Sequence, residues 1–548
     1  MNQKDIRVNY LLGFLSILYI WLLFYYIGDY PVWNKDEGLY AETVREMIER
    51  GNYLDPYYNY EHRWQKPILI YWVLLPFAYF FGASAFTIRL SLAILGVLTL
   101  ILTYLFAKKL FNDKKLALFS SFLLLSSTGF IMQTRHIVTH LMLLFTIVAS
   151  FYFMYDLLKG KRDRLTIILF GAMVGLSFLA KLYVGVVFIL TTGFLLSFKE
   201  IWQKRWIFLK SSLWGVGAFF VVAMPWYLYM INKYGMNYLN FLYHEFFDRI
   251  TVSYTGSATK SDPLFYVRVF FGLFAPWSIP LVVSLAILAK EKGVKSLFAI
   301  KNDLSLLLVV TGFFVVLVTL SIPKSKIPSY LLSLQVFAAV ITAYVFLKTP
   351  WRATLKYTFL AIQIILSIAL VAIWILYFDY KSFEFIFVLF VLGFSFLHPL
   401  SNIKWGIFRV GLVSWIAYVS VVANLYKEIV PTFFPFDRFG KIVADIRKTK
   451  PIPLYTYNKF YQALPFYAKT KMISTNSIPK EKEFFWLVDP EEIKKLDTSK
   501  LEWRVLDKGK YFKESYSKLF KIINIQKGYS SKEKSGDIWL LLVKQKAQ

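Results

Sequence analysis

YLLGFLSILYIWLLFYYIGDYPVWNKDEGLYAETVREMIER, residues 10–50, joins two unlike kinds of sequence. From Tyr10 to Gly28 there is no charged residue, and about 20 apolar residues are what a helix needs to cross a bilayer. From Asp36 to Arg50 charges recur at every turn. Within 38–50, Leu39, Val44, Met47 and Ile48 fall on one helical stripe. The stretch reads as a membrane span followed by a helix lying along the membrane surface. No small-residue cleavage site follows the apolar run, so a retained first helix is expected rather than a cleaved signal.

Runs of the first kind recur through four-fifths of the chain. Spans are expected near 11–28, 86–107, 116–132, 141–158, 165–180, 182–198, 211–231, 265–289, 304–322, 329–347, 357–378, 384–400 and 406–427, thirteen in all. Ile68–Phe81 is apolar but too short, which fits a re-entrant or interfacial helix. Of 548 residues, 57% are hydrophobic and 18% charged, which excludes an ordinary soluble protein. The net charge of +29 does not point to nucleic acid, because much of the basic excess sits in short connections between spans. Lys108, Lys109, Lys114 and Lys115 form one such cluster, and Lys159, Lys161, Arg162 and Arg164 another. Lys199, Lys204, Arg205 and Lys210 form a third, and Lys290, Lys292, Lys295 and Lys301 a fourth. All four fall on one side of a thirteen-span map, so that side is expected to be cytoplasmic. The loops 29–67 and 232–264 and everything after 428 then face outward. The chain divides into a helical membrane region, 1–430, and an outward α/β domain, 431–548. Strand-like runs Phe484–Val488 and Ile538–Val543 mark the second. There is no cysteine, so disulfides and thiolate metal sites are ruled out.

Charges at a membrane surface are costly and mark candidate sites. Asp36 and Glu37 open the surface helix, where helix capping would account for them equally well. Arg63 and Lys66 stand in RWQKP, 63–67, beside the short apolar run. A carboxylate and a nearby cation pair suit a sugar and the phosphate of its lipid carrier. His244-Glu245 and Asp248-Arg249 lie four apart pairwise and share a helical face, as a solvated ion-paired helix also would. Lys324, Lys326 and Tyr330 occupy SIPKSKIPSY, 321–330, where snorkelling lysines and an interfacial tyrosine are the plain alternative. Arg135 and His140 border the outer ends of two neighbouring spans.

At these residues the chain resembles a known family. DEGLYAETVREM (36–47), QKPILIYW (65–72), FLAKLYVGVV (178–187), PWYLYMI (225–231), APWSIPL (275–281) and SKIPSYLLS (325–333) resemble, in order, the ArnT-like members of the protein mannosyltransferase superfamily. LPFYAKTKMI (464–473) resembles part of that family's outward domain. The resemblance implies a GT-C fold in a bacterial inner membrane and a polyprenyl-phosphate sugar donor. It implies transfer at the periplasmic face, with lipid A or another glycolipid as acceptor and aminoarabinose or a uronic acid as sugar. Relatives that move mannose to protein hydroxyls supply an alternative. Asp36, with Glu37, matches the family's catalytic position. Lys66 matches the donor-phosphate lysine, Arg249 a phosphate-binding arginine, and Lys326 and Tyr330 the turn over the donor; Arg63 and Tyr40 join the donor-binding set. Arg135, His140, His244 and Glu245 form a second polar group. There the chain departs from the family: His140 replaces an aspartate, Gln65 replaces a glutamate, and His244-Glu245 reverses a Glu-His pair. Since those positions include metal ligands, the zinc the family implies is left open. A transporter or lipid flippase is the rival of another class; it would predict repeated halves, and none is visible.

If the donor is a lipid-phosphate sugar, its phosphate is the leaving group. Lys66 and Arg249 would stabilise the charge gained there. A hydroxyl acceptor would need Asp36 as base; an ionised phosphate acceptor would not.

Overall fold

A computed structural model describes residues 3–33, 36–203, 205–251, 262, 264–293, 303–323, 326–377, 382–422, 424, 434–512 and 535–546. The chain runs through α1 (Gln3–Phe24), α2 (Asp36–Arg50), a hairpin of β1 (Tyr57–Tyr58) and β2 (Glu61–His62), α3 (Leu69–Phe81) and α4 (Ala85–Phe111). Next come α5 (Lys114–Leu125), α6 (Thr128–Thr134), α7 (His140–Leu158), α8 (Arg164–Lys181), α9 (Tyr183–Gln203) and α10 (Arg205–Tyr234). They are followed by α11 (Met236–Thr251), α12 (Phe265–Leu273), α13 (Ser278–Lys292), α14 (Leu304–Ser321) and a 3-10 turn, Pro328–Leu331. The bundle closes with α15 (Leu332–Lys348), α16 (Ala353–Tyr377), α17 (Phe383–Leu397) and α18 (Ile403–Val421).

The polar punctuation between apolar runs starts the helices. Asp113, Asp163, Asp303 and Asn402 each accept from backbone N–H groups of the first turn they precede, the groups a helix start leaves unpaired. Burial decides the layering. The span Pro328–Lys348 is 78% buried and lies at the centre, whereas Ala353–Leu376 is 22% buried and lies at the rim. The helices α8 and α10 cross backbone to backbone: a Cβ on Gly171 would stand 2.0 Å from the Gly215 carbonyl oxygen. Small residues allow such approaches where two spans pack in lipid.

Among the described residues eight helices are long and apolar enough to span a membrane, or ten if two bent pairs each count as one. The chain is thus a multi-pass membrane protein. The straight spans expected at 116–132 and 265–289 are instead broken, α5 from α6 by 66° and α12 from α13 by 106°. Each break answers the other. Thr128 donates its backbone N–H to the Ala275 carbonyl at 3.1 Å, and Ser127 Oγ donates to Gln335 Oε1 at 3.1 Å. The runs at 182–198 and 384–400 appear as the shorter apolar helices Tyr183–Phe198 and Phe383–Leu397.

Beyond the bundle, α19 (Phe436–Arg447), β3 (Leu454–Tyr457), α20 (Leu464–Ala468), β4 (Met472–Thr475), β5 (Glu483–Val488), α21 (Pro490–Ile493), β6 (Leu501–Phe512) and β7 (Ser535–Gln545) form an α/β unit. Its sheet has the order β4-β3-β5-β7-β6, with β3 parallel to β4 and β5 and β7 antiparallel to β5 and β6. The expected strands are β5 and part of β7; the expected boundary at 430/431 lies outside the described residues.

This unit sits on the first loop. Asn59, at φ +53° in the β1–β2 turn, donates from Nδ2 to the Met472 carbonyl at 2.9 Å and accepts from Met472 N at 2.7 Å. Tyr467 Oη accepts from Val32 N at 2.6 Å. A Cβ on Gly38 would lie 2.6 Å from Ala463 N, so α2 and α20 touch where only glycine fits. Hence α2 is covered from both sides. Val44 and Met47 are buried as the stripe implied, but so are Glu42 and Glu46, which a helix lying only on the membrane surface would leave in water.

Candidate functional site

The two acidic residues that open α2 have opposite surroundings. Asp36 is exposed. Glu37 is buried, and its Oε2 lies 2.7 Å from Arg89 Nη2 on α4. It also accepts from Trp33 N at 2.9 Å and Ile137 N at 3.0 Å. Burial pushes its carboxyl up most strongly, but the Arg89 guanidinium, His136 and the Trp33 N–H together outweigh that and hold it below the usual carboxylate range. Arg89 donates further to the carbonyls of Ile27, Tyr30 and Pro31. One ion pair thereby ties the end of α1, the start of α2 and the α6–α7 connection. Arg135 works beside it, donating to the Leu22 and Tyr25 carbonyls that α1 leaves unpaired.

A second constellation forms at the same end of the bundle. His140 opens α7 three residues after Ile137, and its Nδ1 is 3.1 Å from Lys181 Nζ. Its Nε2 is 3.1 Å from Ser329 Oγ in the 3-10 turn. A lysine ammonium only donates, so Nδ1 accepts and Nε2 carries the proton toward Ser329. Lys181 Nζ also stands 3.8 Å over the Tyr330 ring. Lys66, Lys181, Tyr183 and Tyr330 line one cavity of about 350 Å³ whose remaining wall is mainly apolar, including Leu143, Val187, Phe188 and Leu320. Among the described residues that line it there is no carboxylate. The chemistry is that of an anion held at the head of an apolar slot.

The chain makes this site by ending α8 at Lys181 and starting α9 at Tyr183, with Leu182 between them at φ +50°. A leucine in that backbone region is strained, and the one-residue turn delivers Lys181 and Tyr183 to the same cavity. Lys181 was missing from the sequence-derived candidates. Its signal was present: a lysine between two apolar runs inside FLAKLYVGVV.

The other candidates do not line this cavity, although Lys326 adjoins it through Pro323 and Ile327. Arg63 is buried, donates to Tyr71 Oη at 2.7 Å and faces the Tyr40 ring at 5.1 Å; both side chains pack α2 onto α3 and neither lines the cavity. Lys326 is buried and donates to the Pro323 carbonyl at 3.0 Å within its own turn. Lys324 lies outside the described residues, as does the side chain of Arg249, which falls near the end of α11. His244 is exposed on α11, with Glu245 half-buried beside it. Among the described residues no three His, Asp or Glu side chains converge as metal ligands.

The chain is similar to several known proteins in sequence and in fold. The family model for dolichyl-phosphate-mannose-protein mannosyltransferase matches residues 8–241. An uncharacterised protein of Aquifex aeolicus is 27% identical over 455 residues, 82% of this chain and 85% of its own length. Undecaprenyl phosphate-alpha-4-amino-4-deoxy-L-arabinose arabinosyl transferase 1 of Pseudomonas fluorescens is 25% identical over 320 residues, 57% of this chain and 55% of its own length. The match thus spans little more than half of that transferase. ArnT of Cupriavidus metallidurans, in a crystal structure bound to undecaprenyl phosphate, superposes with a TM-score of 0.72 over 96% of this chain and 97% of ArnT, at 15% identity. That likeness is one of fold, the GT-C fold.

Proposed function

We propose that this chain, an ArnT-like GT-C glycosyltransferase of the protein mannosyltransferase superfamily, moves a sugar from a polyprenyl-phosphate donor to lipid A or a related glycolipid. The transfer takes place at the periplasmic face of the inner membrane. One observation carries the reading: two lysines and two tyrosines stand at the head of an apolar cavity with no carboxylate among its described lining residues. Such a cavity suits a phosphate on a long hydrocarbon chain. Lys66 and Lys181 take up the negative charge as the bond between the anomeric carbon and the phosphate oxygen breaks. His140, donating to Ser329 and accepting from Lys181, fixes the direction of the Lys181 ammonium. Asp36, exposed at the same end, is placed to meet the acceptor, while Glu37 holds it there by fixing the first turn of α2. Aminoarabinose is the favoured sugar, because the Pseudomonas fluorescens relative carries that name.

The test is purified protein given labelled undecaprenyl-phosphate sugars, with lipid A, oligosaccharide and peptide acceptors compared. Label on lipid A supports the reading; label only on peptide replaces it with protein O-glycosylation. Lys66→Ala and Lys181→Ala should each weaken the donor interaction by about 1.5–3 kcal/mol, the worth of a charge-assisted hydrogen bond. Donor titrations would read that as a KM raised roughly tenfold to a hundredfold. Folded variants with unchanged donor kinetics would move the phosphate elsewhere.

A further inference from the structure

The helices α7–α10 enclose a second cavity at the end of the bundle opposite the lysine site. It measures about 500 Å³, and its wall is built from residues such as Met154, Phe170, Gly193 and Phe219. Among the described residues its polar lining is Ser197, Ser212 and, at one end, Arg162. Arg162 belongs to the 159–164 connection, which also holds Lys159, Lys161 and Arg164. An apolar slot between spans accepts a hydrocarbon chain, and a guanidinium at its mouth pairs bidentately with a phosphate. Basic pockets between spans are a known means of holding anionic lipid headgroups.

We infer that this cavity is a binding site for an anionic phospholipid of the adjacent leaflet, with an acyl chain in the slot and the phosphodiester on Arg162. The phosphate of the sugar donor is not its occupant. Arg162 and the lysine site lie at opposite ends of α8, whose 18 residues span roughly 25 Å, so a donor with its phosphate on Lys181 cannot also place it on Arg162. The site does not depend on the transferase reading.

Native mass spectrometry of the full chain, loaded separately with phosphatidylglycerol, phosphatidylcholine of the same acyl chains, and undecaprenyl phosphate, tests the site. One phosphatidylglycerol should be retained at least tenfold over phosphatidylcholine. Arg162→Gln should remove that preference. Gly193→Leu should fill the slot and expel the chain, since a Cβ there meets only the flexible end of Met154, at 3.4 Å. In both variants undecaprenyl phosphate binding should be unchanged. Equal retention of the two phospholipids by the wild-type protein overturns the assignment. So does phosphatidylglycerol binding that survives both substitutions, or undecaprenyl phosphate lost on Gly193→Leu.

Discussion

Replacing Asp36 by Asn should leave a folded protein whose turnover falls on the order of a hundredfold or more, as loss of a general base or key charge does. The structure sharpens the contrast with a capping role. Asp36 is the first residue of α2 and is exposed, so its structural contribution is a charge at a helix N-terminus, worth about 0.3–1 kcal/mol. Asparagine keeps most of what a cap needs. A capping role therefore predicts near-normal turnover and an unchanged melting temperature. Turnover of a labelled lipid-phosphate sugar, measured beside thermal unfolding, separates the two. A stable and fully active Asp36→Asn protein would assign Asp36 to the helix alone.

The neighbouring carboxylate should behave in the opposite way. Glu37→Ala leaves the fully buried Arg89 guanidinium without its partner, and an uncompensated buried charge costs about 3–5 kcal/mol. The loss should appear as a lower unfolding temperature or failure to fold, before any question of turnover. Arg89→Leu should cost a similar amount for the mirror reason, and the double variant less than the sum, because neither charge is then stranded. Additive losses in the double variant would show that the pair is not the support described above.

Much of the fold could be read from the sequence because bilayer spans impose length and apolarity on each segment. The strands β5 and β7 stood out by the same contrast. Two features escaped for physical reasons. The α5–α6 break falls at Ser126 and Ser127 within an otherwise apolar run, and its partner groups, Ala275 and Gln335, are distant in sequence. The division of roles between Asp36 and Glu37 was invisible because the two are chemically alike; Arg89, 52 positions on, decides it. Of the residues matched through the family resemblance, Lys66 and Tyr330 line one cavity, and His140, noted as a departure, stands beside it. Lys181 was passed over because it ends an apolar run. Arg63 and Tyr40 pack against one another and Tyr71, and Lys326 bonds within its own turn, contacts between residues that the sequence alone does not bring together.

Asn59 and Met472, 413 positions apart, bear on how the enzyme comes into being. A chain is made from its N-terminus, so the first span and the acidic helix emerge early, before the β4 strand that completes their surroundings exists. The hairpin that leads to Lys66 stays half-walled until synthesis passes residue 472. Truncated products that end before residue 472 can thus insert their spans yet lack the β4 partner of the first-loop hairpin.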